Sequence, residues 1–380
     1  MKKLLCLLMI TVILLCGCNT RIKPQIDISE KYYYLTSLVS FSNGTGNTLF
    51  RFNVENGSMT TLCPDPLCDH GEECPFFGVI NYSVDGNIIR FDRNYYDSDG
   101  EFVTAICEYD ISEGKMRVLK KYKEDGYTNT FKFGYFWRIF TIQDPERDFG
   151  SFRVSIEEEN FDDPEKVDPD KMPFAQVGDV YYYAKHGPFH SPATEVYAMY
   201  TDLTDEWLVA DGMISSGFKY YEGFLYYVQK DTLMRVSVDE EITGIPINTK
   251  ETVMDRMNKG GYFFHNGYLY YLQEEEDPEV IGWDEFLEED ALNIYGGKVW
   301  RAKPDGSRAE LLTQTDGYVI AGFGFANAQV GGKLVMRYGC WKDKTTRDGE
   351  MRRAWRSTEG GLLVIDLDDG SYQAYQVFDE

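Results

Sequence analysis

Gly-Tyr-Leu-Tyr-Tyr-Leu, residues 267–272, is one of three closely matched runs in which a glycine precedes aliphatic and tyrosine residues. The other two are Gly-Phe-Leu-Tyr-Tyr-Val at residues 223–228 and Gly-Asp-Val-Tyr-Tyr-Tyr at residues 178–183, so the glycines are spaced by 45 and 44 residues. Weaker copies begin at Gly86, Gly134 and Gly332, and a copy without its glycine begins at Lys31. Aromatic and β-branched residues that follow a glycine turn are typical of β-strands.

A second motif alternates with the first along the chain. Nine-residue units at 49–57, 106–114 and 362–370 align without a gap, and residues 299–306 form a unit that is one residue shorter. Each unit starts with apolar residues and ends with polar residues and a glycine, which predicts a strand that runs into a hairpin turn.

Two interleaved strand motifs with a period of about 44 residues indicate the four-stranded blade of a β-propeller. Seven starts predict seven blades, so we expect an all-β chain with one propeller domain over residues 31–380. A string of separate sandwich domains is the alternative, but nothing between the repeats resembles a linker.

The N-terminus has the order of a bacterial export signal. Two lysines precede an uncharged apolar run over residues 4–18, which closes on Leu-Cys-Gly-Cys at 15–18. This ending resembles the lipobox of bacterial lipoproteins, in which the cysteine is lipidated on its sulfur and becomes the new N-terminus after cleavage. We therefore predict a cleaved signal peptide (1–17), a lipid on Cys18, a tether (18–30) and a location on the outer face of the cytoplasmic membrane. The alternative is an ordinary secretory signal.

The charge of the chain excludes some partners. Cleavage removes Lys2 and Lys3, which takes the net charge from -25 to -27. A surface this acidic repels nucleic acid and anionic lipid headgroups, so we expect no nucleic acid partner and attachment to the membrane only through the lipid.

The two repeat motifs carry a family resemblance. Gly-Tyr-Leu-Tyr-Tyr at 267–271 and Trp-Arg-x-x-x-Asp-Gly at 300–306 resemble the units of poorly characterised propeller lipoproteins of Gram-positive envelopes. The resemblance spans most of residues 31–380. It implies a fold and a location, and it supplies no catalytic residues.

A cysteine-rich segment follows the first repeat. Cys63, Cys68, His70 and Cys74 lie within twelve residues, and three thiols with one imidazole are a set that a structural zinc ion could use. Outside the cytoplasm, one disulfide among the three cysteines is an equal alternative. In both cases we expect a structural role between the first two blades.

The step from Gly267 to Gly332 is 65 residues, which exceeds the period by 21. The excess begins at Glu274 and holds ten acidic residues, and the spacing of its apolar residues around Trp283 predicts a short helix capped by Asp284. The next blade carries basic and aromatic candidates for an acidic glycan or carboxylate ligand: Arg337, Trp341, Arg352, Arg353 and Trp355. Pairing of the acidic insertion with this basic segment explains both without a ligand.

Catalytic motifs are scarce. The chain has only four histidines and contains neither a nucleophile elbow nor a phosphate-binding loop. We therefore predict no catalytic residues and a non-catalytic platform that binds a protein or a glycan. The alternatives are a propeller glycoside hydrolase or lyase with paired carboxylates in the central funnel, and a structural or sensory partner of a membrane protein.

Overall fold

The computed structural model describes residues 31–41, 44–65, 67–68, 73–123, 127–140, 151–187, 191–211, 216–237, 250–284, 289–315, 318–320, 329–345 and 351–378. These residues form thirty β-strands and a single 3-10 turn at Pro169–Lys171. In this part of the chain, no helix has the length and apolar character that crossing a bilayer requires.

The strands fall into seven consecutive antiparallel blades. The first blade holds β1 (Tyr32–Phe41), β2 (Gly44–Asn53) and β3 (Met59–Thr61). The second holds β4 (Val79–Asp85), β5 (Ile88–Tyr96), β6 (Phe102–Asp110) and β7 (Lys115–Tyr122). The third holds β8 (Tyr127–Lys132), β9 (Tyr135–Phe140), β10 (Phe152–Ser155) and β11 (Glu165–Lys166). The fourth holds β12 (Pro173–Val177), β13 (Val180–Gly187), β14 (Ser191–Tyr200) and β15 (Glu206–Asp211).

The last three blades continue in the same order. The fifth holds β16 (Ser216–Tyr221), β17 (Phe224–Gln229), β18 (Thr232–Ser237) and β19 (Lys250–Met254). The sixth holds β20 (Met257–His265), β21 (Tyr268–Gln273), β24 (Lys298–Ala302) and β25 (Glu310–Gln314), and between β21 and β24 come β22 (Glu279–Asp284) and β23 (Glu289–Asn293). The seventh holds β26 (Val319–Ile320), β27 (Gln329–Val330), β28 (Lys333–Thr345), β29 (Met351–Asp366) and β30 (Tyr372–Phe378).

The blades are arranged radially. The first strands of adjacent blades lie beside one another, as β4 does with β8, β12 with β16, and β16 with β20, so these strands form the inner ring. The ring closes where Leu35 and Phe52 of the first blade pack against Val335 and Leu362 of the seventh. The prediction of an all-β propeller with seven blades is confirmed.

The paired tyrosines of the first motif explain how blades stack. Successive side chains of a strand point to opposite faces of its sheet. Tyr227 therefore packs into the cluster shared with the fourth blade, whereas Tyr226 packs into the cluster shared with the sixth. The phenol of Tyr226 donates to the carbonyl of Pro304 (3.1 Å), and that of Tyr270 donates to the carbonyl of Leu367 (3.3 Å), each in the next blade.

Both sequence motifs make their turns at the same end of the ring, which we call the turn end. The motif glycines sit in two-residue hairpins between the first and second strands, and all six have φ between +54° and +81°, a region that favours glycine. In the second motif, the side chains of Asn53, Asp110 and Asp366 each accept the amide two residues on (2.8–3.0 Å). The two motifs keep a constant position relative to each other because their turns are joined by hydrogen bonds. The amide of Ile111, for example, donates to the carbonyl of Asn87 (2.9 Å).

The opposite end, which we call the loop end, carries the hairpins between second and third strands and the connections from one blade to the next. The backbone amide of Val54 donates to the carbonyl of Lys31 (3.1 Å), as Ile111 does to Asn87, so β1 occupies a second-strand position. The chain therefore enters its first described strand from the turn end.

Candidate functional site

The longest described hairpins lie at the loop end. The β28–β29 hairpin pairs regularly up to Gly339 and Gly360, shifts register there, and continues with six further pairs from Cys340↔Arg356 to Thr345↔Met351. In the neighbouring first blade, the β1–β2 hairpin extends to Phe41↔Gly44. Long hairpins at this end thus project from adjacent blades.

The acidic insertion is a β-hairpin, so the prediction of a helix that begins near Trp283 and is capped by Asp284 is wrong. β22 ends at Asp284, and β22 and β23 pair from Glu279↔Asn293 to Asp284↔Glu289. An isolated short helix is marginally stable in water, whereas these strands gain ladder hydrogen bonds. The local apolar spacing alone did not reveal that β22 and β23 pair with each other.

The insertion reaches the basic segment through its backbone. β22 pairs in parallel with β29, where Trp283 stands opposite Ala354. Within the hairpin, Trp341 is directly opposite Trp355, and Arg352 and Arg353 stand opposite Lys344 and Asp343. One sheet therefore holds five sequence candidates at the loop end: Trp283, Trp341, Arg352, Arg353 and Trp355. At these five positions, the structure describes the strands and not the side chains.

Arg337, the remaining ligand candidate, lies at the junction of the seventh and first blades. Its guanidinium Nη2 donates to the carbonyl of Thr36 on β1 (3.1 Å). Burial raises the pKa values of the Tyr33 and Tyr82 phenols, and the positive charge of Arg337 partly offsets this rise. The described contact of Arg337 thus joins the two blades that close the ring.

Three cysteines come together between the first and second blades. The sulfurs of Cys63, Cys68 and Cys74 all lie within 4.8 Å of one another, and none of the three residues forms a disulfide. Cys74 is buried, and the other two are half-buried against the cluster formed by Phe76, Phe91 and their neighbours. His70, the fourth sequence candidate, lies outside the described residues.

The cysteine loop, residues 62–78, is held at both ends by β2. The amide of Leu62 donates to the carbonyl of Leu49 (3.2 Å), and the amide of Gly78 donates to that of Asn47 (2.8 Å). Between them, Asp65 accepts the amide of Leu67 through its Oδ1 (2.9 Å) and the amide of Cys68 through its carbonyl (3.2 Å). Burial raises the pKa of the Cys74 thiol to about 12 and also raises that of Cys63.

The inner ring holds few acidic side chains. Among its described strands β4, β8, β12, β16, β20 and β27, the single carboxylate is Asp85, at the turn end of β4. A glycoside hydrolase needs two carboxyl groups that flank the bond to be cleaved. The described part of the channel wall therefore supplies no such pair.

Sequence analysis did not identify a buried polar network between the second and third blades. Asp92 Oδ1 accepts the amide of Asn81 (2.7 Å), and its Oδ2 accepts the side-chain amide of Asn129 (2.8 Å). Arg138, which is fully buried, donates from Nη1 to Asn129 Oδ1 (3.2 Å) and lies over the ring of Tyr127 (3.9 Å). The signal was a charged residue inside an otherwise apolar or aromatic strand, as in Tyr-Phe-Trp-Arg-Ile-Phe at 135–140.

A half-buried lysine also belongs to the inner ring. Lys219 lies on β16, and its Nζ lies 5.3 Å from the ring centroid of Tyr262 on β20. Burial lowers the pKa of Lys219 to about 8.

These features define a seven-bladed β-propeller with one elaborated face. Among solved structures, it is similar to the uncharacterised protein lmo1340 of Listeria monocytogenes EGD-e, with 11% identity, a TM-score of 0.50, and coverage of 92% of this chain and 93% of that one. It also matches the β-propeller domain of the Trilobed protease from Pyrococcus furiosus, with 12% identity, a TM-score of 0.49, and coverage of 92% and 95%.

A third similar structure is a prolyl endopeptidase, with 10% identity and a TM-score of 0.53; the match covers 93% of this chain and 50% of that one. Identities this low establish a shared fold alone. No protein-family model and no curated protein matches the chain.

Proposed function

We propose that this chain is a lipoprotein, anchored through Cys18 to the outer face of the bacterial cytoplasmic membrane, whose propeller binds a protein or a glycan at the loop end. The observation that carries the proposal is the gathering of the long hairpins of the sixth, seventh and first blades at this end. Insertions in repeat folds collect on the binding face.

The position of the tether supports an orientation. Residues 19–30 lead into Lys31 at the turn end, so a lipid on Cys18 holds that end nearer the bilayer and directs the loop end into the envelope. The hairpins between first and second strands at the turn end have only two loop residues each. The elaborated face is then the one that a partner in the envelope meets.

A non-catalytic role has independent support in the inner ring. Its described strands carry a single carboxylate, Asp85, and the hydrolase alternative needs a pair. The half-length match to a prolyl endopeptidase carries no activity to this chain, because the likeness is one of fold.

The proposal is tested by site-specific photo-cross-linking in cells. A photoreactive amino acid replaces Thr345, at the loop end of β28, and in a matched strain replaces Ser112, at the turn end. We expect adducts from position 345 only, and digestion of the adduct with protease or with glycan hydrolases distinguishes the two partner classes. Adducts from position 112 alone, or equal labelling from both positions, would contradict the assignment of the binding face.

Anchoring is tested separately. Cys18→Ser is expected to abolish incorporation of a labelled fatty acid, while its folded propeller remains. Retention of the label in this variant would refute the lipid anchor and leave the assignment of the binding face untouched.

A further inference from the structure

We propose that Cys63, Cys68 and Cys74 form a binding site for a thiophilic divalent metal ion, Zn²⁺ by its coordination chemistry, which fixes the connection between the first two blades. The site lies at the loop end and serves the architecture of the ring, so it stands independently of the partner that the propeller binds.

The geometry of the three sulfurs carries the proposal. In a tetrahedral site with Zn–S bonds of about 2.3 Å, neighbouring sulfurs are separated by about 3.8 Å. The three sulfurs here lie within 4.8 Å of one another, so a small contraction brings them to bonding distance around one ion. A disulfide would use two of the three and leave the third thiol beside it, whereas one ion accommodates all three.

The surroundings of the thiols suit a structural metal. Cys74 is 1% exposed and packs with Phe76 and Phe91, so its side of the site is shielded from water. The loop ends are fixed by hydrogen bonds to β2, and the Asp65 turn holds the backbone that leads into Cys68. Leu67, beside Cys68, is 91% exposed, which places the opening of the site at the surface.

The loop also explains what a metal would achieve. Residues 62–78 span from the edge of the first blade to β4, the innermost strand of the second. No regular strand holds the described residues between Thr61 and Val79, apart from the isolated bridge between Thr48 and Phe77. A metal ion bound by three points along this loop restricts it far more than packing of its few apolar side chains.

Metal binding exchanges thiol protons for a metal ion. Zn²⁺ enters from solvent, three Sγ–Zn bonds replace three of its bonds to water, and each thiol that becomes a thiolate releases its proton to solvent. No electron is transferred and no oxidant is needed. The reaction therefore differs from disulfide formation, which removes two electrons from a pair of thiols.

The test uses the full chain, purified in detergent under reducing conditions from cells supplied with zinc. We expect one zinc ion per chain by elemental mass spectrometry, and replacement with Co²⁺ should give a thiolate-to-cobalt charge-transfer band in the near ultraviolet. Cys68→Ala should reduce the zinc content by at least tenfold. Cys107→Ala is the matched control, because Cys107 is another thiol of the same apolar cluster, and it should keep its zinc.

The Tm and the accessibility of the thiols test the site even if a variant is unstable. A chelator should lower the Tm of the unaltered chain by several degrees and expose three thiols to alkylation, and it should leave the Tm of Cys68→Ala unchanged. Zinc content equal in Cys68→Ala and the unaltered chain would overturn the site. So would mass spectrometry of protein alkylated directly in cells that finds a disulfide between two of the three cysteines.

Discussion

Gly370→Ala is expected to destabilise the propeller far more than Gly114→Ala, although the two glycines occupy the same position in equivalent turns of the seventh and second blades. Both accept a positive φ, +74° and +66°, and both amides donate to the carbonyl four residues back, at 3.0 and 2.8 Å. A Cβ at Gly114 would meet nothing within 4 Å, whereas one at Gly370 would lie 2.1 Å from the carbonyl oxygen of Leu312 in the sixth blade.

The magnitude follows from separating these two effects. The left-handed backbone costs an alanine about 1–2 kcal/mol, and this cost is common to both variants. At Gly370, the blades must also move apart by about 1 Å to relieve a contact with backbone, and overpacking of this kind costs about 1–3 kcal/mol more. The difference between the variants is therefore about 2 kcal/mol, or about 4 °C in Tm at roughly 2 °C per kcal/mol.

Thermal unfolding followed by tryptophan fluorescence measures both variants at one scan rate. Gly306→Ala repeats the experiment at another junction, because its Cβ would lie 2.2 Å from the carbonyl oxygen of Val253 in the fifth blade. If Gly370→Ala and Gly114→Ala lower the Tm equally, the second motif does not act as a contact between blades, and its glycine serves the turn alone.

Three further outcomes are expected. Asp92→Asn should lower the free energy of unfolding by about 2 kcal/mol, because both carboxylate oxygens accept hydrogen bonds and an amide turns one NH₂ toward a donor. Asp85→Asn, at an exposed carboxylate, should leave the stability almost unchanged. Equal Tm values for the two variants would refute the network. Lys219→Met should be more stable at pH 7. In the unaltered chain, the native state loses the Lys219 proton near pH 8 and the unfolded state near pH 10.5, so stability should rise between them; the variant should lack that part of the rise, and parallel Tm-against-pH curves would contradict this. If His70 completes the zinc site, His70→Ala should weaken zinc binding by about 10–100-fold in competition with a chelator, and an unchanged affinity would exclude it.

The blade body was predictable because its determinants are local. A glycine before Tyr226 and Tyr227 sets a tight turn, and strand alternation then sends the two rings to different junctions. The same locality explains the copy at Lys31, which lacks the glycine but keeps its position relative to the second motif. In the blade body, the neighbours in sequence are also the neighbours in the sheet.

The insertion and the polar network were not predictable on that basis. Apolar residues at helical spacing over 283–291 predicted a helix, yet β22 pairs with β23, and Trp283 also stands opposite Ala354 on β29, 71 residues later in the chain. Asp92 and Arg138 are joined through Asn129 across a junction between blades. Reading one strand at a time cannot reveal these pairings. The three cysteines were predictable as a cluster because they share one short loop.

The length of the proposed tether determines how strongly the anchor can orient the two ends of the ring. A tether of twelve residues, as predicted for 19–30, spans at most about 40 Å when fully extended. Repulsion between an acidic propeller and anionic headgroups decays over a Debye length of about 8 Å in physiological salt, so it acts only when the disc nearly touches the bilayer. Over most of the reach of the tether, the attachment point determines orientation more than charge does. Because that point is the turn end, lengthening the tether should loosen the orientation of the loop end without changing what the loop end can bind.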